Sequence, residues 1–119
     1  MAELKGILNK KTIDFFELKD NKVYIGEQNI IHIKNKHYID YVKYYEYLSE
    51  IINSPDYIGR NLKDNSLELV KVLFCEEEKK YIKVAIRITQ KGNLFVRTLY
   101  ILNSLKFEFQ ASKGYYKKL

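Results

Sequence analysis

Tyr81-Ile82-Lys83-Val84-Ala85-Ile86-Arg87-Ile88-Thr89 runs into Gln90-Lys91-Gly92-Asn93 and then into Leu94-Phe95-Val96-Arg97-Thr98-Leu99-Tyr100-Ile101-Leu102. In the first run Ile82, Val84, Ile86 and Ile88 alternate with Lys83, Ala85 and Arg87. A period of two marks a strand with one packed and one wet face, the pattern of an antiparallel sheet. The polar tetrapeptide that follows has hairpin chemistry. With Gln90 to Asn93 as the loop, Thr89 faces Leu94, Arg87 faces Val96, Ala85 faces Thr98 and Lys83 faces Tyr100. Residues paired across strands share a face. Lys83, Arg87, Thr98 and Tyr100 then form one cationic, hydroxyl-bearing surface. A slip of one residue exchanges Thr98 and Tyr100 for Arg97 and Leu99.

Outward from this hairpin, Leu67 to Cys75 reads as a third strand, joined through Glu76-Glu77-Glu78-Lys79. Lys106 to Leu119 alternates briefly at Phe107 and Phe109, which suggests one more strand and then a solvated basic tail from residue 111. Thr12 to Leu18 and Lys22 to Ile25 read as two strands around the turn residues Lys19-Asp20-Asn21. Glu27 to Lys36 fits a short helix carrying Ile30, Ile31 and Ile33. A second helix is expected from Tyr38 to about Asn53, with Ile39, Val42, Tyr45, Leu48 and Ile52 as its apolar stripe. Pro55 ends it, because the residue before a proline avoids helical geometry. The tyrosines of this segment, from Tyr38 to Tyr47, have the spacing of packing residues. The expected fold is α+β: an N-terminal β-hairpin and two helices packed on an antiparallel sheet, in one domain of residues 1–119 with its core at about 12–110.

Composition narrows the function classes. A chain of 119 residues, 46% hydrophobic and 30% charged, has the balance of a globular domain. It contains no apolar run of the length that spans a bilayer, about 18 residues. The segment Met1-Ala2-Glu3-Leu4-Lys5 lacks the apolar core of a secretion signal. The single cysteine, Cys75, cannot pair internally and reads as inert packing at a strand end. A cytoplasmic protein is expected. Net charge is +6, which favours anionic partners by Coulomb steering and counterion release. Of the 21 cations only Arg60, Arg87 and Arg97 are arginines. Their planar donor fork suits phosphate better than lysine does.

Metal and cofactor chemistry finds no motif here: no HExxH, no paired cysteines, no Asp-x-Asp and no glycine-rich phosphate loop. Neither a metal nor a cofactor is expected. What stands out is Ile31-His32-Ile33-Lys34-Asn35-Lys36-His37, which holds both histidines of the chain. Histidine is the side chain that titrates near neutrality. Together with lysine and arginine it equips a site for metal-free RNA cleavage, because RNA supplies its own nucleophile in the 2′-hydroxyl. A base removes that proton, cations stabilise the phosphorane and an acid protonates the leaving oxygen. In this scheme His32 is base or acid, with Lys36 or His37 as its complement. Lys83 and Arg87 hold the phosphate with Thr98, while Arg60, Arg97 and Tyr100 contact the substrate. On an ideal helix His32 and His37 diverge by roughly 140°, so the two rings converge only if the first helix ends near Lys36.

The order of these features resembles the phage-associated nucleases grouped with barnase, EndoU, colicin-type RNases and RelE. The likeness rests on His32, on Lys36-His37 opening the second helix, on Pro55-Asp56 and on Thr98-Leu99-Tyr100, and it covers about Thr12 to Leu102. Tyr38 stands where the pattern commonly has proline. The resemblance implies a barnase- or RelE-like fold, with helices on one side of a curved sheet and RNA on the other, in a metal-independent ribonuclease. It also implies a toxin-like effector of a phage or mobile element, with a cognate antitoxin or immunity protein as a further candidate partner. The competing readings are a non-catalytic module that holds nucleic acid or protein on the same basic sheet face, and a small phage scaffold or inhibitor. Fold alone does not choose among them.

Overall fold

The computed structural model describes residues 2–119 apart from the side chain of Cys75, so the reading of that thiol as inert packing falls outside the described residues. In chain order the elements are β1 (Glu3–Ile7), α1 (Lys10–Phe16), β2 (Lys22–Ile25), α2 (Glu27–Lys36), α3 (Tyr38–Tyr44), a 3₁₀ turn (Tyr45–Tyr47) and α4 (Leu48–Asn53). Then follow β3 (Tyr57–Arg60), β4 (Leu67–Cys75), β5 (Glu78–Ile88), β6 (Leu94–Leu102), α5 (Ser104–Ser112) and β7 (Lys117–Lys118). The fold is α+β. Its seven strands lie in the order β1-β2-β6-β5-β4-β3-β7, antiparallel at every junction except the parallel β2–β6 pair.

The central hairpin follows the expected register only over part of its length. Lys83 faces Tyr100 and Ala85 faces Thr98, but Ile86 faces Val96 and Ile88 faces Leu94. Arg87 therefore lies opposite Phe95 rather than Val96. The loop is tighter than expected: the Thr89 N–H donates to Asn93 O at 2.9 Å, and Gly92 takes a φ of 87° that suits glycine. Arg97 absorbs the difference as the extra residue of a bulge. Both Arg97 and Thr98 are thereby kept off the buried face that Val96 and Leu99 occupy.

The main core lies on one face of the sheet. Leu67 and Leu69 of β4, Ile82, Val84 and Ile86 of β5, and Val96 and Leu99 of β6 pack with Leu48, Ile51 and Ile52 of α4 and Ile33 of α2. On the other face Val70 and Tyr81 meet Phe107 of α5 and Tyr116. The face expected to be wet is therefore covered at one end.

Three expectations fail locally. Thr12 to Leu18 is not a strand. Residues 10–16 form α1, capped by the Asn9 side chain on the Thr12 N–H, with Thr12 and Phe16 buried one turn apart. The β-hairpin of the N-terminal part is instead β1 with β2, and α1 lies between them. The second helix is broken: Tyr44 at φ −121° leads into the 3₁₀ turn, which resets the phase. Tyr44, Leu48, Ile51 and Ile52 are buried, whereas Ile39 and Val42 of the expected stripe are exposed. Finally, α5 replaces the expected last strand. The basic tail returns to the sheet, where Lys117 and Lys118 face Ile58 and Tyr57, and the Leu119 N–H donates to Asp56 O.

Gly59 makes this return possible. A β-carbon there would sit 2.7 Å from the Tyr115 carbonyl oxygen and 3.1 Å from the Tyr116 ring. The carbonyl belongs to backbone already tied to β3, so it cannot move aside cheaply. Gly59→Ala should destabilise the protein by about 1–3 kcal/mol, read as a lowered denaturant midpoint at unchanged slope. An unchanged midpoint would show that the C-terminal return is not anchored on β3.

Candidate active site

α2 is capped at Gly26, whose N–H is held by the Asn29 side chain at 2.8 Å, and ends at Lys36. His37 is the joint between two helices. Its N–H donates to Ile33 O at 2.7 Å, and its carbonyl accepts from the Tyr41 N–H at 2.8 Å. With φ −140° and ψ 52° it turns the chain out of α2 and into α3. This is the early stop that convergence of the two imidazoles requires. The Asp40 carboxylate then accepts the Ile101 N–H at 3.0 Å and fixes the first turn of α3 on β6. His37 consequently stacks on Tyr100, with ring centres 4.7 Å apart and planes 18° from parallel.

A pocket of about 200 Å³ opens at this corner. His32, His37, Lys83, Arg97, Thr98 and Tyr100 line it together with Asn61, Asp64, Ser66 and Glu68. Six of the residues singled out in the sequence thus meet around one space. Lys36 lines the neighbouring depression with Asn35 and Tyr38 instead. Arg87, displaced by the shifted register, is exposed and lines none of this space. Arg60 pairs with Leu67, a core-facing residue, and lies over the Phe16 ring at 5.4 Å. It therefore sits on the α1 side of the sheet, away from the pocket.

The floor of the pocket is a buried polar network that sequence reasoning missed. Glu68, 2% exposed, accepts from Lys83 Nζ at 3.1 Å, from the Tyr116 hydroxyl at 3.0 Å and from Asn61 Nδ2 at 3.3 Å. Burial opposes the charge on Lys83, but Tyr100 and Glu68 outweigh it and hold the ammonium above its ordinary pKa. Lys83 Nζ also lies 4.8 Å from the centre of the Tyr100 ring. Tyr100 is thus stacked on by His37 and approached by Lys83. Burial, with Glu68 next in weight, pushes the Tyr116 hydroxyl up and that of Tyr115 up to about 12.

At the rim Asp64 accepts from the Ser66 hydroxyl at 2.6 Å, from the Ser66 N–H at 3.0 Å and from Arg97. The Ser66 hydrogen bonds first, and Arg97 after them, lower its pKa to about 2. The Thr98 hydroxyl is buried and has no hydrogen-bond partner among the described residues. Such a group is expensive to leave unsatisfied, and in a pocket a water or a ligand atom can supply its partner. His37 is held below 6.5, chiefly by burial and also by His32 and Lys36, against an opposing pull from Asp40. Among the described residues no three His, Cys, Asp or Glu side chains gather as a metal cluster, and no helix is long and apolar enough to cross a membrane. One signal for Glu68 was present in the sequence, a lone carboxylate inside the apolar run Leu67-Glu68-Leu69-Val70.

Neither a curated protein nor a solved structure matches the chain significantly. A family model does, over residues 3–108, a span that takes in both histidines, Glu68, Lys83 and all of β6. The chain belongs to the family described as phage-Barnase-EndoU-ColicinE5/D-RelE like nuclease 3.

Proposed function

We propose that this nuclease-family protein is an endoribonuclease that needs no metal and cleaves RNA by attack of the 2′-hydroxyl on the adjoining phosphate. The observation that carries the reading is the unpartnered Thr98 hydroxyl, sharing a pocket with two imidazoles, an ammonium and a guanidinium. Half-buried His37, held below its ordinary pKa, suits the base that takes the 2′-proton. Exposed His32 suits the acid that returns a proton to the leaving 5′-oxygen. Lys83 and Arg97 stabilise charge on the phosphorane, and Thr98 donates to a non-bridging oxygen. Glu68 and Asp64 hold those two cations in place and make no contact with the reacting atoms in this scheme. The phage and toxin namesakes of the family support a toxin-like effector acting on cytoplasmic RNA, opposed by a cognate antitoxin or immunity protein.

Purified protein incubated with labelled RNA in EDTA should yield fragments ending in a 2′,3′-cyclic phosphate. His32→Ala and His37→Ala should each lower kcat by ~10²–10⁴, the usual worth of an acid–base group. RNA retained on the protein but left intact would instead indicate the binding module. Unimpaired cleavage by both variants would remove the imidazoles from the mechanism. Toxicity to expressing cells should disappear with the same substitutions.

The pH profile has a defined sign. A base works deprotonated, and His37 keeps its free form to lower pH than an ordinary histidine. The acid limb of kcat/KM should therefore fall below 6.5. Lys36 contributes to the depression, so Lys36→Gln should move that limb upward. A limb above 6.5 in the unmodified protein, or one that Lys36→Gln moves downward, would be incompatible with His37 as the base.

A further inference from the structure

The pocket continues into a larger groove that the chemistry above does not use. This groove measures about 550 Å³ and shares Asn61, Glu68, Lys83 and Tyr100 with the pocket. Its outer wall comes from elsewhere: Lys63 from the β3–β4 loop, Lys106 and Gln110 from α5, and Tyr115 from the C-terminal return. Gln110 and Tyr115 lie beyond residue 108, outside the span matched by the family.

Size separates the two spaces. About 550 Å³ falls within the usual ~300–1,000 Å³ of a small-molecule site, whereas about 200 Å³ falls below it. The smaller space suits a phosphate group and the larger one a nucleoside. The donors agree with that division. Lys63 and Lys106 are exposed and form no ion pair among the described residues. The Gln110 carboxamide has no hydrogen-bond partner among them either, and it carries both a donor and an acceptor for a base edge. Tyr115 is half-buried and braced edge-on by Tyr116, with centres 4.7 Å apart and planes at 67°. Unlike Tyr100 it has no imidazole stacked on it among the described residues.

We infer that this groove is a base-binding subsite for a nucleotide beyond the two that flank the scissile phosphate of single-stranded RNA. The base stacks on Tyr115 and is read by Gln110, and Lys106 with Lys63 holds the adjoining phosphate. The inference rests on the ribonuclease reading and adds a substrate requirement to it. A base paired in an A-form duplex cannot leave its stack to enter the groove, so single strands and loops are the substrates.

The test measures binding apart from cleavage, with 2′-O-methyl oligonucleotides that lack the attacking hydroxyl. Lengthening the probe from two to five nucleotides should tighten binding to the unmodified protein about tenfold, within the range one stacked base supplies. Gln110→Ala and Lys106→Ala, both changes on the outer surface of the groove, should lose most of that gain. Lys91→Ala, in the β5–β6 loop, should retain it and so control for the loss of one charge. The inference is overturned if length brings no gain, if both groove variants keep the full gain, or if duplex RNA binds as tightly as the single strand. A full gain that the groove variants abolish, in a protein that cleaves no RNA, would support the subsite and refute the ribonuclease reading. Cleavage with the gain untouched by either variant would do the reverse.

Discussion

The free amide edge of β6 is the constraint on which the rest depends. β2 pairs with β6 only at Val23↔Leu94 and Tyr24↔Phe95, so beyond Phe95 that strand presents backbone groups with no neighbouring strand. A buried N–H without an acceptor is costly, and an uncovered edge invites another chain to pair with it. Asp40 answers this by accepting from Ile101, and α2 and α3 lie along the same strand. Because α2 and α3 meet at His37, covering the edge also presses an imidazole onto Tyr100. The ring owes its position to the backbone economy of the sheet as much as to any demand of chemistry.

The Lys83–Glu68 pair is the second fixed point, and it is poor evidence for stability as such. An apolar pair of similar volume often serves a fold equally well, while removing one buried partner costs about 3–5 kcal/mol. Here the pair does something an apolar pair cannot do: it holds a cation at the base of a pocket at an angle set by three hydrogen bonds to one carboxylate. Tyr116 supplies one of those bonds, which makes the C-terminal return part of the site's support. Gly59 and the bulge at Arg97 belong to the same construction. One lets the return approach β3, and the other turns two consecutive residues toward the polar side.

The sequence discloses those parts of the fold whose pattern is set by their own residues. The alternation of β5, the bounds of β6 and the span of α2 are of that kind, since each buries a face that recurs at a fixed period. β1, β3 and β7 are short and exist because a neighbour pairs with them, so nothing local marks them. α1 is too short to display a helical period, and its Thr, Ile and Phe content argues for a strand until the Asn9 cap is weighed. α5 buries Phe107 but leaves Leu105 and Phe109 exposed, so it shows no stripe. In the site, the imidazoles and the β5–β6 hydroxyls and cations were legible. Asp64 and Ser66 were not, because they reach the pocket through the turn before β4, and Glu68 was marked only as a carboxylate within an apolar run. Arg60 and Arg87 illustrate the converse: a suitable side chain is placed by its strand partner, whatever its chemistry.

The pairing of the pocket's cations bears on how an anion is received. Lys83 is engaged by Glu68 and Arg97 by Asp64, so these four side chains together carry no net charge. Long-range attraction must then come from the excess of +6 spread over the chain, and the pocket acts at contact distance. Engagement does not exhaust either cation, since an ammonium has three donors and a guanidinium five. The carboxylates consume some donors and aim the others, at no reorganisation cost when a phosphate arrives.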